Sequence, residues 1–156
     1  MEAARRANVD DLGTLLELAA ELRAELVPMR GGSLWSRTAA YPEPLDATFR
    51  ALIEQDDACV LVGTIDEVVV GFGVCSVAVL RDGTRLGQVT ELFVTADARS
   101  VSVGEGLLTL LVDWCRDQGC VGIDAFALPG HRAAKNFFET AGFTARALLM
   151  HHELEQ

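Results

Sequence analysis

Apolar side chains recur at helical spacing near the start of the chain. Asn8 stands where a helix cap would, and Asp10 and Asp11 would put negative charge at the positive end of the helix dipole. A helix is therefore predicted over residues 9–26, and residues 3–7 before it are predicted to form a short edge strand. The residues that share the apolar face of this helix are Leu12, Leu15, Leu16, Ala19, Leu22 and Leu26.

The next part of the chain changes from a helical pattern to a strand pattern. A second helix is predicted over residues 45–55. Asp66-Glu67 and Asp82-Gly83 favour tight turns between the strand-like runs that follow. An antiparallel meander is therefore predicted. Its three valine-rich strands are residues 59–65, 68–79 and 85–94.

Helix and strand patterns alternate over the rest of the chain, at residues 102–117 (helix), 121–128 (strand), 132–140 (helix) and 143–152 (strand). The strand-helix-strand unit over residues 85–128 predicts a parallel pair. The element order is β-α-α-β-β-β-α-β-α-β. It predicts a mixed α/β fold, in which about four helices flank a largely antiparallel twisted sheet with a parallel section. The whole chain, residues 1–156, is expected to form a single domain.

One segment, residues 27–44, fits neither pattern. It contains three of the four prolines, a Gly-Gly pair, Trp35 and the only tyrosine, Tyr41. A loop of this length in a compact domain is often functional. Trp35 and Tyr41 could line an acceptor pocket or anchor the loop to the core, and the sequence favours neither.

Composition narrows the classes of function. The net charge of -10 and the pI near 4.6 argue against a nucleic-acid partner. No apolar run is long enough to span a bilayer, and the N-terminus lacks a secretory pattern, so no membrane partner and a cytoplasmic location are expected. The four cysteines show no metal-ligand spacing, and no metal is expected.

The chemistry most visible in the sequence is an anion site at residues 89–108. An apolar strand leads through a short loop into a Gly/Ser-rich helix start, where free N–H groups and the helix dipole attract negative charge. Ser100, Ser102 and Gly104 are small enough for phosphate oxygens to approach the backbone, and Arg99 adds a positive charge. A phosphate or a carboxylate would suit this site equally well.

This segment resembles the cofactor loop of the GNAT superfamily of N-acetyltransferases. The family pattern Arg/Gln-x-x-Gly-x-Gly/Ala aligns without gaps with Arg99-Ser100-Val101-Ser102-Val103-Gly104, followed by Leu107-Leu108. Glu91-Leu92-Phe93-Val94 resembles the family's fourth strand. The N-terminal RRANVDDLGTLLEL and the C-terminal RAAKNFFETAGF extend the resemblance over nearly the whole chain.

The resemblance implies acetyl-CoA as co-substrate, with its pyrophosphate on the loop amides and its pantetheine arm along the strand. The cofactor-binding residues it implies are Phe93, Val94, Arg99, Ser100, Val101, Ser102, Val103, Gly104, Glu105, His131 and Phe138. Three of these positions depart from the family. Ser102 replaces the first glycine, His131 replaces a common asparagine, and Phe138 replaces the tyrosine that serves as general acid.

The resemblance implies transfer of an acetyl group to a primary amine by direct attack in a ternary complex. Glu91 is the candidate general base, because an alkylammonium must lose a proton before its nitrogen can attack. The same glutamate could instead only pair with a neighbour. A non-catalytic acyl-CoA-binding sensor or interaction module is the alternative function, and it is favoured by the three departures. A covalent route through Cys115 or Cys120 is disfavoured, since neither cysteine has a placed base.

The sequence leaves the acceptor open between small-molecule and peptide amines. His131 could also act as a base, although a surface or capping role is the more common one for such a residue. The oligomeric state is open too. The apolar strand predicted at residues 143–152 offers an edge through which a homodimer could form.

Overall fold

Five strands form one mixed sheet in the computed structural model, which describes residues 1–99 and 102–156. The strands follow one another across the sheet in the order of the sequence. The first four pair antiparallel, and the fourth and fifth run parallel. The predicted mixed α/β fold is confirmed. The strands are β1 (Glu2–Arg6), β2 (Ala58–Ile65), β3 (Val68–Val79), β4 (Arg85–Val94) and β5 (Cys120–Ala125).

Helices cover both faces of this sheet. In the described residues they are α1 (Leu12–Leu26), α2 (Gly32–Arg37), α3 (Leu45–Glu54), α4 (Val103–Asp117) and α5 (Arg132–Thr140). Short 3-10 turns at Val9–Asp11 and Ala96–Ala98 precede α1 and follow β4. As predicted, Asn8 caps the first turn, and its side chain accepts a hydrogen bond from the Asp10 amide.

The alternation of side chains along the strands divides the core into two layers. On β2, Val60 and Val62 pack with α1 and α3. Cys59 and Leu61 point to the opposite face and pack with α4. Every residue of β2 is therefore buried or nearly so, which explains its continuous apolar sequence.

Two parts of the chain differ from the prediction. The segment expected to be a loop contains α2, a short helix whose Trp35 is buried in the same core layer as residues of α1 and α3. The strand predicted at residues 143–152 does not form, and these residues carry no secondary structure. Apart from Phe143 they are also exposed, because the chain leaves the body of the protein after α5. No helix among the described residues has the length and apolar character that a membrane crossing needs.

A close contact between β2 and the first turn of α4 sets the position of that helix. A Cβ atom added at Gly63 would lie 2.4 Å from Val103 Cγ1 and 3.2 Å from Leu107 Cδ1. Only glycine lets the helix approach the strand this closely. The start of α4, where the sequence predicts an anion site, thus depends on a residue of a different element.

Substituting Gly63 by alanine is expected to lower the free energy of unfolding by about 1–3 kcal/mol, since the added methyl must push α4 away from β2. Gly106→Ala is the control within α4, because an added Cβ there would meet no atom within 4 Å. That variant should be more stable by about 0.5–1 kcal/mol, the usual gain from alanine in a helix interior. Urea denaturation measures both changes. A Gly63→Ala variant as stable as the wild type would contradict the described contact.

Candidate functional site

The two parallel strands separate at their carboxyl ends and leave an opening in the sheet. Their pairing ends at Val89 and Ala125, yet β4 continues to Val94. A cavity of about 50 Å³ lies at this opening. It is enclosed mainly by apolar side chains of α1, β4, α5 and the segment after β5. Its lining residues are Leu22, Leu26, Val89, Thr90, Glu91, Leu92, Phe126, Ala127, Leu128, His131, Ala134 and Phe138.

A β-bulge in β4 turns Glu91 toward the α1 side of the sheet. Val74 of β3 is opposite Glu91, whereas the adjacent Cys75 is opposite Val89, so Thr90 is an extra residue in β4. Val89 packs in the layer of α4. Without the bulge, Glu91 would share that face with Val89, since the side-chain period of a strand is two residues.

The Glu91 side chain is only 1% exposed, and its carboxylate forms a bidentate ion pair with Arg23 of α1. Arg23 Nη1 donates to Oε1 at 3.1 Å, and Nη2 donates to Oε2 at 3.0 Å. The backbone amide of Tyr41 donates to Oε2 at 3.2 Å. Three donors thus stabilise the buried charge. Oε1 accepts one of these hydrogen bonds and keeps capacity for a further donor.

Trp35 and Tyr41 support this ion pair from the segment that joins α1 to α3. The guanidinium carbon of Arg23 lies 5.6 Å from the centroid of the Trp35 ring. The Tyr41 hydroxyl forms a hydrogen bond of 2.7 Å with Thr90 Oγ1. Burial raises the pKa of the Tyr41 phenol, so the hydroxyl stays protonated at neutral pH. Both aromatic residues therefore anchor their segment to the core, one of the two roles that the sequence left open.

The start of α4, where the sequence predicts an anion site, is described by the structure from Ser102 onward. Ser102 occupies the N-cap position, and its side chain makes no capping hydrogen bond. The backbone N–H groups in the first turn of this 15-residue helix have no acceptor within the helix, and the cap side chain does not supply one. Gly104 lies beside α5, where an added Cβ would be in van der Waals contact with the Phe137 ring at 3.4 Å. Glu105 is exposed, and Ser100 and Val101 lie outside the described residues.

Arg99 lies at the C-terminal end of the turn that follows β4, and its guanidinium is turned toward α1. Its Nη1 and Nη2 atoms donate to the Glu25 carboxylate at 2.7 Å and 2.8 Å, and Nε donates to the Val94 carbonyl at 2.8 Å. The guanidinium also lies over the ring of Phe93, 5.3 Å from its centroid. An anion that uses Arg99 must therefore compete with Glu25 for this guanidinium.

The remaining predicted residues divide between the cavity and the core. His131 is the N-cap residue of α5 and lines the cavity, with no side-chain capping bond. Phe138 also lines the cavity and packs against Phe137 and Phe143 with ring centroids 5.4 Å apart in each pair. Phe93 is buried in the α1 layer, and Val94 ends β4. The structure thus brings Glu91, His131 and Phe138 around one cavity, with Arg99 outside it.

Sequence reasoning missed two residues of α1, Arg23 and Glu25. They form the ion pairs with the predicted site residues Glu91 and Arg99. Arg23 could have been found, because it follows Leu16 and Ala19 at helical spacing and so lies within the apolar stripe of α1. A cation in such a stripe requires a buried partner. Glu25 has no comparable pattern.

The cysteines lie away from the cavity lining. Cys75 and Cys115 are buried with their sulfur atoms 3.1 Å apart, and the contact with Cys115, together with burial, raises the pKa of Cys75. Across residues 1–99 and 102–156, no group of three or more His, Cys, Asp or Glu side chains is arranged to hold a metal ion.

Comparison with known proteins identifies one family. The sequence model described as "Acetyltransferase (GNAT) family" matches residues 21–143. A search of curated proteins found no match to the chain.

Solved structures share the fold at low sequence identity. The tetramutant of the BH1408 protein from Bacillus halodurans has a TM-score of 0.81 at 18% identity, covering 97% of this chain and 99% of its own. Glucosamine-6-phosphate N-acetyltransferase from Arabidopsis thaliana has a TM-score of 0.72 at 18% identity, with 99% of each chain covered. AAC(6')-Iy, solved with a CoA-linked bisubstrate analogue, has a TM-score of 0.74 at 17% identity, covering 100% of this chain and 99% of its own.

Proposed function

Because the chain belongs to the GNAT acetyltransferase family, we propose that it transfers an acetyl group from acetyl-CoA to a primary amine by direct attack in a ternary complex. The observation that carries this proposal is the opening between β4 and β5. One wall of it carries a single buried carboxylate, Glu91, and the start of α4, which is proposed here as the anion site, follows β4 through a short connection. The proposed active domain is the whole chain, residues 1–156, in a cytoplasmic protein.

Acetyl-CoA would supply an activated acetyl thioester. The amides of Val103, Gly104 and Glu105 and the Ser102 hydroxyl suit its pyrophosphate, and Ser100 and Val101 complete the proposed loop. The β4 backbone at Phe93 and Val94 suits the amide groups of its pantetheine arm, since β5 has already left this edge. A backbone N–H near Val94 would polarise the thioester carbonyl.

Glu91 is proposed to accept the proton that the attacking amine must lose, directly or through a water molecule. The free acceptor capacity of Oε1 and the place of Glu91 in the cavity wall support this role. The neutral amine nitrogen then forms its bond to the carbonyl carbon, the carbon–sulfur bond breaks, and the nitrogen releases its second proton to water to give the neutral amide. Phe138 offers no proton to the departing thiolate. That sulfur can leave as an anion, because thiols are much stronger acids than alcohols.

The acceptor is proposed to be a small-molecule or peptide amine. A cavity of about 50 Å³ admits the reacting end of such a molecule, and the rest would lie outside. The amine of glucosamine-6-phosphate, which one structurally similar enzyme is named for, is one candidate to include in a screen. The largely apolar lining favours an amine on a short carbon chain over one flanked by charged groups.

A non-catalytic acyl-CoA-binding module is the second candidate, and one observation favours it. Both oxygens of Glu91 already accept hydrogen bonds, two of them from a guanidinium. Most of the acceptor capacity of this carboxylate is therefore already taken, which leaves less of it for an incoming amine. In this alternative the ion pair would serve only to join α1 to the sheet.

We also propose that the chain forms a homodimer. The exposed apolar residues after α5 support self-association, since soluble monomers rarely expose several large apolar side chains in one short segment.

Amine-dependent release of CoA tests the proposed reaction. Protein is mixed with acetyl-CoA and a panel of primary amines, and mass spectrometry follows both the free CoA thiol and the acetylated amine. The expected result is equal amounts of CoA and of an amine that is heavier by one acetyl group. Acetyl-CoA that binds and stays intact with every amine would favour the binding module.

A further inference from the structure

The cavity between β4 and β5 has two titratable side chains in its lining, Glu91 and His131. They belong to different walls. The β-bulge turns Glu91 toward the α1 layer, whereas His131 begins α5, whose Phe138 packs in the α4 layer. A molecule that enters the cavity therefore meets two groups able to transfer protons, one from each layer.

The two groups differ in how much of their bonding capacity is already used. Glu91 accepts three hydrogen bonds, two of them from Arg23. The half-buried His131 side chain makes no capping hydrogen bond, and none of the ion pairs among the described residues includes it. Its main chain is held in place, since the His131 N–H donates to the Leu128 carbonyl at 3.0 Å and the His131 carbonyl accepts from Lys135 at 3.1 Å. The imidazole is thus fixed at the cavity wall with bonding capacity left for a substrate.

α5 connects the proposed cofactor site with the cavity. Its residues His131, Ala134 and Phe138 line the cavity and recur at helical spacing, so they share one face of the helix. Further along α5, Phe137 lies beside Gly104 in the first turn of α4. A thioester whose pyrophosphate binds at the start of α4 would therefore enter the cavity along α5, on the side of His131. The amine would be the reactant on the side of Glu91.

We infer that His131 carries the second proton of the amine to the departing sulfur, in place of water. After Glu91 has taken the first proton, the neutral amine attacks the carbonyl carbon and its nitrogen becomes positively charged. The imidazole accepts a proton from this nitrogen, the carbon–sulfur bond breaks, and the imidazolium protonates the thiolate. The products are the neutral amide, the CoA thiol and a neutral imidazole, so His131 is regenerated. Imidazole suits this task because one ring nitrogen accepts while the other donates. The inference rests on the proposed function.

The step requires a neutral imidazole at its start, which fixes the sign of its pH dependence. A histidine changes its charge between about pH 5 and 8. The charged groups around His131 are Arg132 and Lys135 on α5, and across the cavity the carboxylate of Glu91 with its partner Arg23. The segment after β5 contributes only uncharged residues to the lining. The advantage that His131 gives should therefore be largest at high pH and disappear as the pH falls.

Steady-state kinetics of the wild type and a His131→Asn variant, with an amine that the wild type acetylates, test the step. Asparagine keeps a donor and an acceptor but takes up no proton near neutral pH. The variant should bind acetyl-CoA within about threefold of the wild type and turn over about a hundredfold more slowly at about pH 8. The ratio of wild-type to variant turnover should fall toward one at about pH 5. His151→Asn is the matched control, since His151 is exposed near the C-terminus, and it should behave as the wild type at every pH.

Free imidazole separates proton transfer from a merely structural role. Added imidazole should raise the turnover of a His131→Ala variant by at least about tenfold, because it supplies the missing group. Equal turnover of the wild type and His131→Asn would overturn the inference and leave the acetyltransferase standing. So would a turnover ratio that rises toward acid, or a loss of acetyl-CoA affinity as large as the loss of turnover without rescue by imidazole. A wild type that acetylates no amine would overturn the proposed function and this step together.

Discussion

Replacing Glu91 by glutamine is expected to lower the free energy of unfolding by about 3 kcal/mol, because the substitution leaves the buried guanidinium of Arg23 without its counter-charge. If Glu91 is also the general base, turnover should fall by at least about a hundredfold. Affinity for acetyl-CoA should stay within about threefold of the wild type, since the proposed cofactor residues lie elsewhere. Urea denaturation, steady-state kinetics and acetyl-CoA titration below the unfolding temperature measure the three quantities.

The double variant Arg23→Gln/Glu91→Gln separates the two roles of this glutamate. Two glutamines in contact leave no unpaired buried charge, so most of the lost stability should return. A general base is still absent in this variant, and turnover should stay low. If turnover returns together with stability, Glu91 acts only as the partner of Arg23, and the proposed base must be sought elsewhere.

Replacing Arg99 by alanine is expected to weaken acetyl-CoA binding by about 10- to 100-fold. The substitution removes one charge-assisted hydrogen bond, whose energy of about 1.5–3 kcal/mol corresponds to a change in affinity of this size. Glu25→Gln should have the opposite effect. It releases the Arg99 guanidinium from a partly exposed ion pair and should tighten binding by about two- to fivefold. The rise in Tm with added acetyl-CoA measures both changes.

Arg116→Ala is the control for these variants, because Arg116 is also ion-paired but lies in the last turn of α4, away from the proposed cofactor loop. It should bind acetyl-CoA as the wild type does. If Glu25→Gln weakens binding as much as Arg99→Ala, the ion pair matters because it holds α1 against the turn after β4. The proposed contact between Arg99 and the pyrophosphate would then be wrong.

Most of the fold was predictable because its elements are consistent with local sequence. α5 has the predicted limits, and α1 and α3 agree with prediction within a few residues. In the meander, β2 ends and β3 begins on either side of Asp66-Glu67, the turn predicted between them. α2 was missed because its six residues are too few to show a period, and the Gly-Gly pair at its start is typical of a loop. Burial of Trp35, a tertiary contact, stabilises this helix.

The strand predicted at residues 143–152 was wrong for a different reason. An apolar pattern indicates that side chains need a covered environment, but it does not say which part of which chain supplies the cover. Leu148 and Met150 have strand-like spacing and no partner in their own described subunit.

The candidate site was predictable in its position and less so in its contacts. The start of α4 lies where the loop pattern put it, and Glu91 faces the cavity. The pairing of Glu91 with Arg23 could not be derived from local pattern, because the two residues are 68 positions apart and meet only when α1 packs on the sheet. The β-bulge at Thr90, which sets the direction of Glu91, has no glycine or proline to mark it.

Isothermal titration of the wild-type protein with acetyl-CoA tests the central claim most directly, because every proposed step requires this co-substrate. The account predicts saturable binding of one acetyl-CoA per chain with a micromolar dissociation constant, as expected for a cofactor site with several backbone and charged contacts. It also predicts weaker binding when acetyl-pantetheine, which lacks the pyrophosphate, replaces acetyl-CoA. No heat of binding up to millimolar acetyl-CoA would contradict the account, and with it the role proposed for the start of α4.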